Sequence, residues 1–343
     1  MRSISLRPIT ALSLCRALVA SAGLAALTAG AASAETLTLY CAQHQQMVDQ
    51  ITAGFTKHTG IKVRTRYGEA PEIASQIVQE GKASPADVYF TENSPELVLL
   101  DEKGLLAPVD AKTLTKVPSR FNAEDGNWLG VLARENVLTY DPKLIDAAKL
   151  PASLMDLAGP DWKGKVAIAP TDADFLPLVE AVVKLKGRPA ALDWLRGLKA
   201  NAQLFDDDEA VVAAVDRGAV ATGIINNYYW ARLHQEKGDA TVAAIHHFGG
   251  KDVGGLINVS GAAVLKSSKH QAAGQKFLAF LVSQPVQALL GAGDVDFEYP
   301  LADGVKANPI LTPFDKLDPP AISIKDLGDD QDAAKLLREA GLL

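Results

Sequence analysis

Cysteine is nearly absent: 343 residues hold two, Cys15 and Cys41. Cys15 falls in the N-terminal leader described below, so one thiol remains and no internal disulfide can form. The fold must then rest on its core even in an oxidising compartment. Cys41 lies in an apolar run and reads as a small buried strand residue. There is no Cys-x-x-Cys and no His-Glu-x-x-His, which removes two common zinc spacings. There is no Gly-x-Ser-x-Gly, the nucleophile turn of many hydrolases. Fixed-period repeats and low-complexity segments are also missing, which argues against solenoid and adhesive proteins. Beyond the leader, no stretch is apolar enough to cross a bilayer.

The leader itself is distinctive. Arg2, Arg7 and Arg16 occur without a single acid, and an apolar run from Ala17 to Ala31 ends in Ala32-Ser33-Ala34. This is the pattern of a secretory signal peptide, residues 1–34, cut before Glu35. Leu14 before Cys15 is too large for a lipoprotein site. Cutting 34 of 343 residues leaves 309, long enough to suggest two lobes around separate cores. The leader takes three of the 34 basic residues and none of the 41 acids, so 31 positive charges face 41 negative ones, a net −10. That balance argues against nucleic acid and anionic membrane as partners and mildly favours a cationic ligand.

The remaining chain alternates short β-like runs with amphipathic helices. Strands are expected at Thr36–Cys41, Lys62–Thr65 and Asp87–Phe90, with helices at Gln45–Lys57 and Ile73–Glu80 between them. Pro95 opens a further helix. This βαβαβ start predicts a parallel sheet with ligands beyond the carboxyl ends of its strands. The theme returns with a strand at Lys165–Ala169, the loop Pro170–Asp174, helices at Phe175–Lys186, Pro189–Lys199 and Glu209–Arg217, and a strand at Ala221–Ile225. Strands at Val242–Ile245 and Ala262–Leu265 and helices at Lys269–Ser283 and Asp329–Leu343 complete the reading.

Four segments carry a resemblance: Leu39-Tyr40-Cys41-Ala42-Gln43-His44, Ser84-Pro85-Ala86-Asp87-Val88-Tyr89-Phe90-Thr91-Glu92, Asn226-Asn227-Tyr228-Tyr229-Trp230, and Ser260-Gly261-Ala262-Ala263-Val264-Leu265-Lys266-Ser267-Ser268. In order and spacing the chain resembles the periplasmic ferric-ion-binding proteins of bacterial iron ABC importers. The resemblance implies a two-lobed α/β fold, type II among periplasmic binding proteins, in which each lobe is a mixed, mainly parallel sheet flanked by helices. The expected lobes are 35–136 plus 259–306 and 137–258 plus 307–343, joined by crossover strands. It implies metal ligands at His44, Glu92, Tyr228 and Tyr229. It further implies Fe³⁺ as transported cargo, ABC permease and ATPase subunits as partners, and a periplasmic monomer that is not an enzyme.

The chemistry of these residue types agrees. Ferric ion is small, hard and highly charged, and phenolate is a strong anionic oxygen donor. Two phenolates and a carboxylate balance three positive charges, and a neutral imidazole adds a fourth donor. Calcium would prefer carboxylate and carbonyl oxygens, and zinc or cuprous ion would prefer His and Cys. Each residue also has a plainer reading. Glu92 could be a solvated loop acid, His44 a helix opener, and the tyrosine pair aromatic packing. Neighbouring side chains in a strand point apart, so both phenols can meet one ion only at a turn or helix entrance. The Asn226-Asn227 stop puts them at such a place.

One departure from the family pattern concerns a helper anion, often phosphate, bound beside the iron at a Ser-Gly-Ala-like loop. Here that loop is Asp172-Ala173-Asp174, and Asp208 stands where the pattern has a neutral amide, although Asn93 and Asn226 keep amide donors nearby. Carboxylates repel phosphate from a helix N-terminus that would otherwise attract it. The expectation is that Asp172 or Asp174 replaces the anion, on the metal or through a bound water. His246-His247 is read as structural or solvated, with diverging rings and no nearby acid to complete a metal set. Asp206-Asp207-Asp208 is read as a loop and helix cap, and Trp230 as packing. The competing functions are a same-fold carrier for a polyamine or other small organic ion, and an exported metal-dependent hydrolase, which would need an open coordination site and a general base.

Overall fold

Parallel and antiparallel pairing are divided cleanly in this chain. A computed structural model describes residues 35–293 and 296–343. The leader expected over residues 1–34 lies outside the described residues. The elements run β1 (Thr36–Ala42), α1 (Gln45–Thr59), β2 (Lys62–Tyr67), α2 (Ala70–Glu80), β3 (Val88–Thr91), α3 (Pro95–Glu102), β4 (Leu106–Ala107), α4 (Ala111–Leu114) and β5 (Leu129–Tyr140). Then come β6 (Val166–Ile168), α5 (Phe175–Lys186), α6 (Arg188–Asn201), β7 (Ala202–Leu204), α7 (Asp208–Asp216), β8 (Thr222–Asn226), α8 (Asn227–Lys237), β9 (Ala244–His246) and β10 (Ile257–Leu265). The chain closes with α9 (Gln271–Leu281), α10 (Gln284–Ala292), β11 (Tyr299–Pro300) and α11 (Gln331–Ala340). Short 3₁₀ turns join several of these.

The strand path is β2-β1-β3-β10-β5-β8-β6-β7. Its two ends are parallel, β1 with β2 and β3, and β6 with β7 and β8. Its middle is antiparallel, β10 with β3, and β5 with β10 and β8. Parallel strands need a crossover, and helices supply it here. Thr36–Leu343 forms one compact unit, and no described helix is long and apolar enough to cross a membrane.

Local sequence accounts for most elements. The α1 apolar stripe Met47, Val48, Ile51 and Phe55 is buried as its spacing requires, and Gly60, in a left-handed conformation, ends the helix. Phe175–Lys186 is helical over the whole predicted span. Cys41 is fully buried on β1, and burial pushes its thiol up to about 12. Gly223 on β8 permits close approach of α7: a Cβ there would lie 2.4 Å from Val211.

Periodicity did not reveal the short strands β4, β7 and β11, and it also missed the long β5. β5 is twelve residues long and buried through its first eleven. A strand covered on both faces normally reads as an unbroken apolar run. Here Arg134-Glu135-Asn136 interrupts the middle, because these polar side chains serve the network described next. The strand shares its N-terminal half with β10 and its C-terminal half with β8.

Candidate metal centre

Register places the first pair of predicted residues. Ala42 at the end of β1 lies beside Thr91 at the end of β3. His44 and Glu92 follow directly, so both leave the same carboxyl edge. His44 stands at the cap position of α1 but makes no side-chain cap bond, which leaves its ring for the cleft. Its Nε2 is 3.6 Å from Glu92 Oε2, and its Nδ1 is 3.1 Å from Asp296 Oδ1. The second contact is of ion-pair range rather than a well-aligned hydrogen bond. Burial and the nearby Asp174 charge raise the Glu92 carboxyl well above its ordinary range, with Arg134 pulling the other way.

The second pair comes from the far half of the path. β6 and β8 run parallel, so the loop 169–174 after β6 and the start of α8 after β8 share an edge. Tyr228 and Tyr229 sit in the first turn of α8, their ring centroids 4.2 Å apart. Both hydroxyls donate to one oxygen, Asp174 Oδ2, at 2.6 Å from Tyr228 and 3.4 Å from Tyr229. The Tyr228 ring meets His44 edge-on at 5.5 Å. The helix entrance thus turns both phenols one way, as the Asn226-Asn227 stop requires. Burial first, and Asp174 second, push both phenols well above the ordinary tyrosine range. The phenols therefore carry their protons until something more positive displaces them.

Asp174 is the node of the site. Its Oδ1 accepts from Asn93 Nδ2 at 3.1 Å and lies 3.3 Å from Arg134. Burial would raise this carboxyl, but Arg134, Tyr228, Asn226 and Asn93 outweigh it and hold it low. Asp172 is used differently. Its Oδ1 accepts from the Asp174 backbone N–H at 3.0 Å and its Oδ2 from the Asp208 N–H at 3.1 Å. Burial and Asp174 push it up to about 6. Asp208 accepts from the Asn226 N–H at 3.1 Å, and burial with Asp172 raises it well above the ordinary range. Asp207 caps α7 through the Ala210 N–H at 2.7 Å, as expected of this acidic run.

The sequence reading missed the cation beneath all this. Arg134 is fully buried on β5, donates to the Glu92 carbonyl and to Asn93 Oδ1, and lies 3.7 Å from Glu298. Burial would lower its pKa, but Asp174 and Glu298 more than offset that and keep it charged. Glu298 is also bonded by Gln43 Nε2 at 3.3 Å. Asp296, Glu298 and Arg232 were missed as well. The legible signal for Arg134 was a polar triplet inside an apolar stretch. Asp296 and Glu298 left no pattern beyond their i, i+2 spacing.

His246-His247 is held by structural contacts. An acid does stand nearby: His247 Nδ1 is 2.6 Å from Glu135 Oε2, and its Nε2 is 2.9 Å from Thr312 Oγ1. Glu135 comes from β5, distant in sequence. The two rings do part, since His246 packs edge-on against Phe248 at 5.4 Å. Trp230 packs, stacked on His234, with its Nε1 bonded to the Ala243 carbonyl.

A cavity of about 570 Å³ opens over the site, lined by Gln43, His44, Glu92, Asp172 and Tyr229 among others. A larger one, about 900 Å³, lies among Phe121, Trp128 and Phe314, and none of the four predicted donors lines it. Size therefore does not mark the site; donor chemistry does. Among the described residues no three His, Cys, Asp or Glu side chains are arranged to hold a metal. A metal here would depend on the phenols.

The sequence profile of the bacterial extracellular solute-binding proteins matches residues 37–292, and the chain belongs to that family. It is 41% identical to the Fe(3+)-binding periplasmic protein of Serratia marcescens over 95% of this chain and 97% of that one. It is 37% identical to a major ferric iron-binding protein of Neisseria meningitidis, covering 93% of this chain and 96% of the relative. Iron-bound HitA from Pseudomonas aeruginosa superposes with a TM-score of 0.86 at 45% identity, over 90% of this chain and 99% of that one. The fold is the type II periplasmic-binding fold.

Proposed function

We propose that this chain binds ferric iron in the periplasm and delivers it to an inner-membrane ABC importer with its permease and ATPase subunits. One observation carries the reading: two phenol hydroxyls meet on a single carboxylate oxygen, Asp174 Oδ2, beside the His44–Glu92 pair. Iron displaces the two phenol protons, and both phenolates, Glu92 and His44 become its donors. Losing those protons also frees Asp174 Oδ2 from its two phenol donors. Asp174 then replaces an exogenous anion, on the ion or through a water. Asp172 is the weaker candidate, because both of its oxygens are already held by backbone N–H groups. Phosphate would meet Asp172, Asp174 and Asp208 together and is disfavoured.

On this reading the lobes are 35–136 plus 259–306 and 137–258 plus 307–343, and the cleft between them closes on the ion. Residues 1–34 are a signal peptide removed on export, the working form is a monomer, and no catalytic step is assigned. The strong relatives named for ferric binding support this over a polyamine carrier.

Equilibrium dialysis of residues 35–343 against ferric nitrilotriacetate and against radiolabelled spermidine separates the two. One retained iron per chain and no retained spermidine is the expected result. Retained spermidine with free exchange of iron would reject the iron assignment.

A further inference from the structure

An imidazole offers a metal one lone pair, and the nitrogen that presents it is set by the hydrogen bond the other nitrogen makes. At His44, Nε2 lies on the cavity side, 3.6 Å from Glu92 Oε2. The other nitrogen, Nδ1, is 3.1 Å from Asp296 Oδ1, in ion-pair range and one small ring rotation short of an aligned hydrogen bond. Asp296 is 3% exposed and does not line the cavity. It is held in turn by Arg232 NH2 at 3.1 Å from the same oxygen. Arg232 belongs to α8, three residues beyond Tyr229, and its guanidinium lies over the Tyr228 ring at 4.9 Å and the Tyr229 ring at 5.8 Å. One buried carboxylate thus touches the histidine of one wall and, through Arg232, the tyrosine helix of the other.

We infer that Asp296 is the positioning residue for His44, holding the Nδ1–H tautomer so that Nε2 faces the bound ion, and coupling that orientation to α8. This inference rests on the iron reading above. It adds a residue that touches no iron, that lies outside the four predicted donors, and whose loss acts only through one of them.

A double-mutant cycle tests it. Wild type, Asp296→Ala, His44→Ala and the double variant are loaded with ferric nitrilotriacetate, and iron loss to excess EDTA is followed at constant pH. Thermal unfolding of each iron-free protein runs beside it. Asp296→Ala should speed iron loss about 10- to 100-fold, the usual scale for removing an outer partner of a ligand histidine. In the His44→Ala background the same change should add nothing. Asp296→Asn keeps an accepting oxygen for Nδ1–H and should fall between wild type and Asp296→Ala. It also serves as the cycle's second variant if the alanine form does not fold. Equal acceleration with and without His44 would overturn the inference, assigning Asp296 a structural role or one exerted through Arg232. Unchanged iron loss in both Asp296 variants would overturn it too. A wild type that takes up no iron removes the iron reading itself, and this inference with it, so the two failures are distinguishable.

Discussion

The two walls of the cleft hold their polar groups in opposite states. On one wall, His44 and Glu92 are about a quarter exposed, and neither contact of the His44 ring is an aligned hydrogen bond. On the other, Tyr228 and Asp174 are buried to within a few per cent and tightly hydrogen-bonded. The difference follows from what each wall packs against. His44 and Glu92 leave short loops after β1 and β3 that face the cavity. Tyr228 and Asp174 begin helices, α8 and α5, whose first turns are pinned against β5 and its Arg134. A cation can therefore meet the first wall with little rearrangement. To use the second it must displace protons from phenols that burial and Asp174 hold neutral. Loading then releases protons, and acid opposes it.

Several changes would break or sharpen that contrast. The largest effect is expected from Arg134→Met, which leaves Asp174 as an uncompensated buried charge. Removing one partner of such a group costs about 3–5 kcal/mol, and urea unfolding of the iron-free protein should read it. A stability within error of wild type would mean that the buried wall is not held by this cation.

Asp174→Asn comes next. It removes the acceptor shared by both phenols and the carboxylate that keeps anions from the start of α5. Iron should be lost about 10- to 100-fold faster. Loading of the variant should also become responsive to phosphate, which a helix N-terminus attracts, while wild-type loading stays indifferent. Markedly tighter wild-type binding in phosphate than in an inert buffer would reject the idea that a carboxylate replaces the anion.

A smaller effect concerns pH. Glu96 is pushed up to about 7 by burial and Asp172 to about 6 by burial and Asp174. The folded chain holds these two protons at a pH where the unfolded chain, with ordinary carboxylates near 4, has released them. Acidification from pH 8 to pH 5 should then stabilise the iron-free protein, on the order of 2 kcal/mol, and Glu96→Gln should remove part of the gain. The loaded protein should move the other way over the same range. Calorimetry on both forms checks the signs, and parallel trends would contradict the proton-release account. The smallest effect is at Cys41, whose buried thiol sits at about 12. It should resist alkylation until the chain unfolds, and Cys41→Ala should leave iron retention within about twofold.

Much of the candidate site could be read because its residues follow strands, where this fold places ligands. A short apolar run ending in a polar residue is visible in a sequence, and His44, Glu92 and Asn226–Tyr229 each have that form. The tyrosine pair was readable for a second reason: the amides before it stop the strand, and only a helix entrance lets both rings turn one way. β5 was not readable, because the polar triplet Arg134-Glu135-Asn136 breaks its apolar period. Asp296, Glu298 and the Glu135–His247 pair were hidden for another cause. Their partners lie 64 to 255 residues away in the chain, and no local pattern reports a contact at that separation. The distinction between Asp172 and Asp174 likewise needed coordinates. Both acids look alike in the loop, but one is spent on backbone N–H groups and the other on the phenols.

The visible spectrum of the iron-loaded protein tests the phenolate claim most directly. Ferric phenolate absorbs visible light by charge transfer, so residues 35–343 loaded with ferric citrate should be coloured. Tyr228→Phe and Tyr229→Phe should each weaken the band, and the double variant should lose it. A colourless wild type that nonetheless retains iron, or a band untouched in the double variant, would contradict the account.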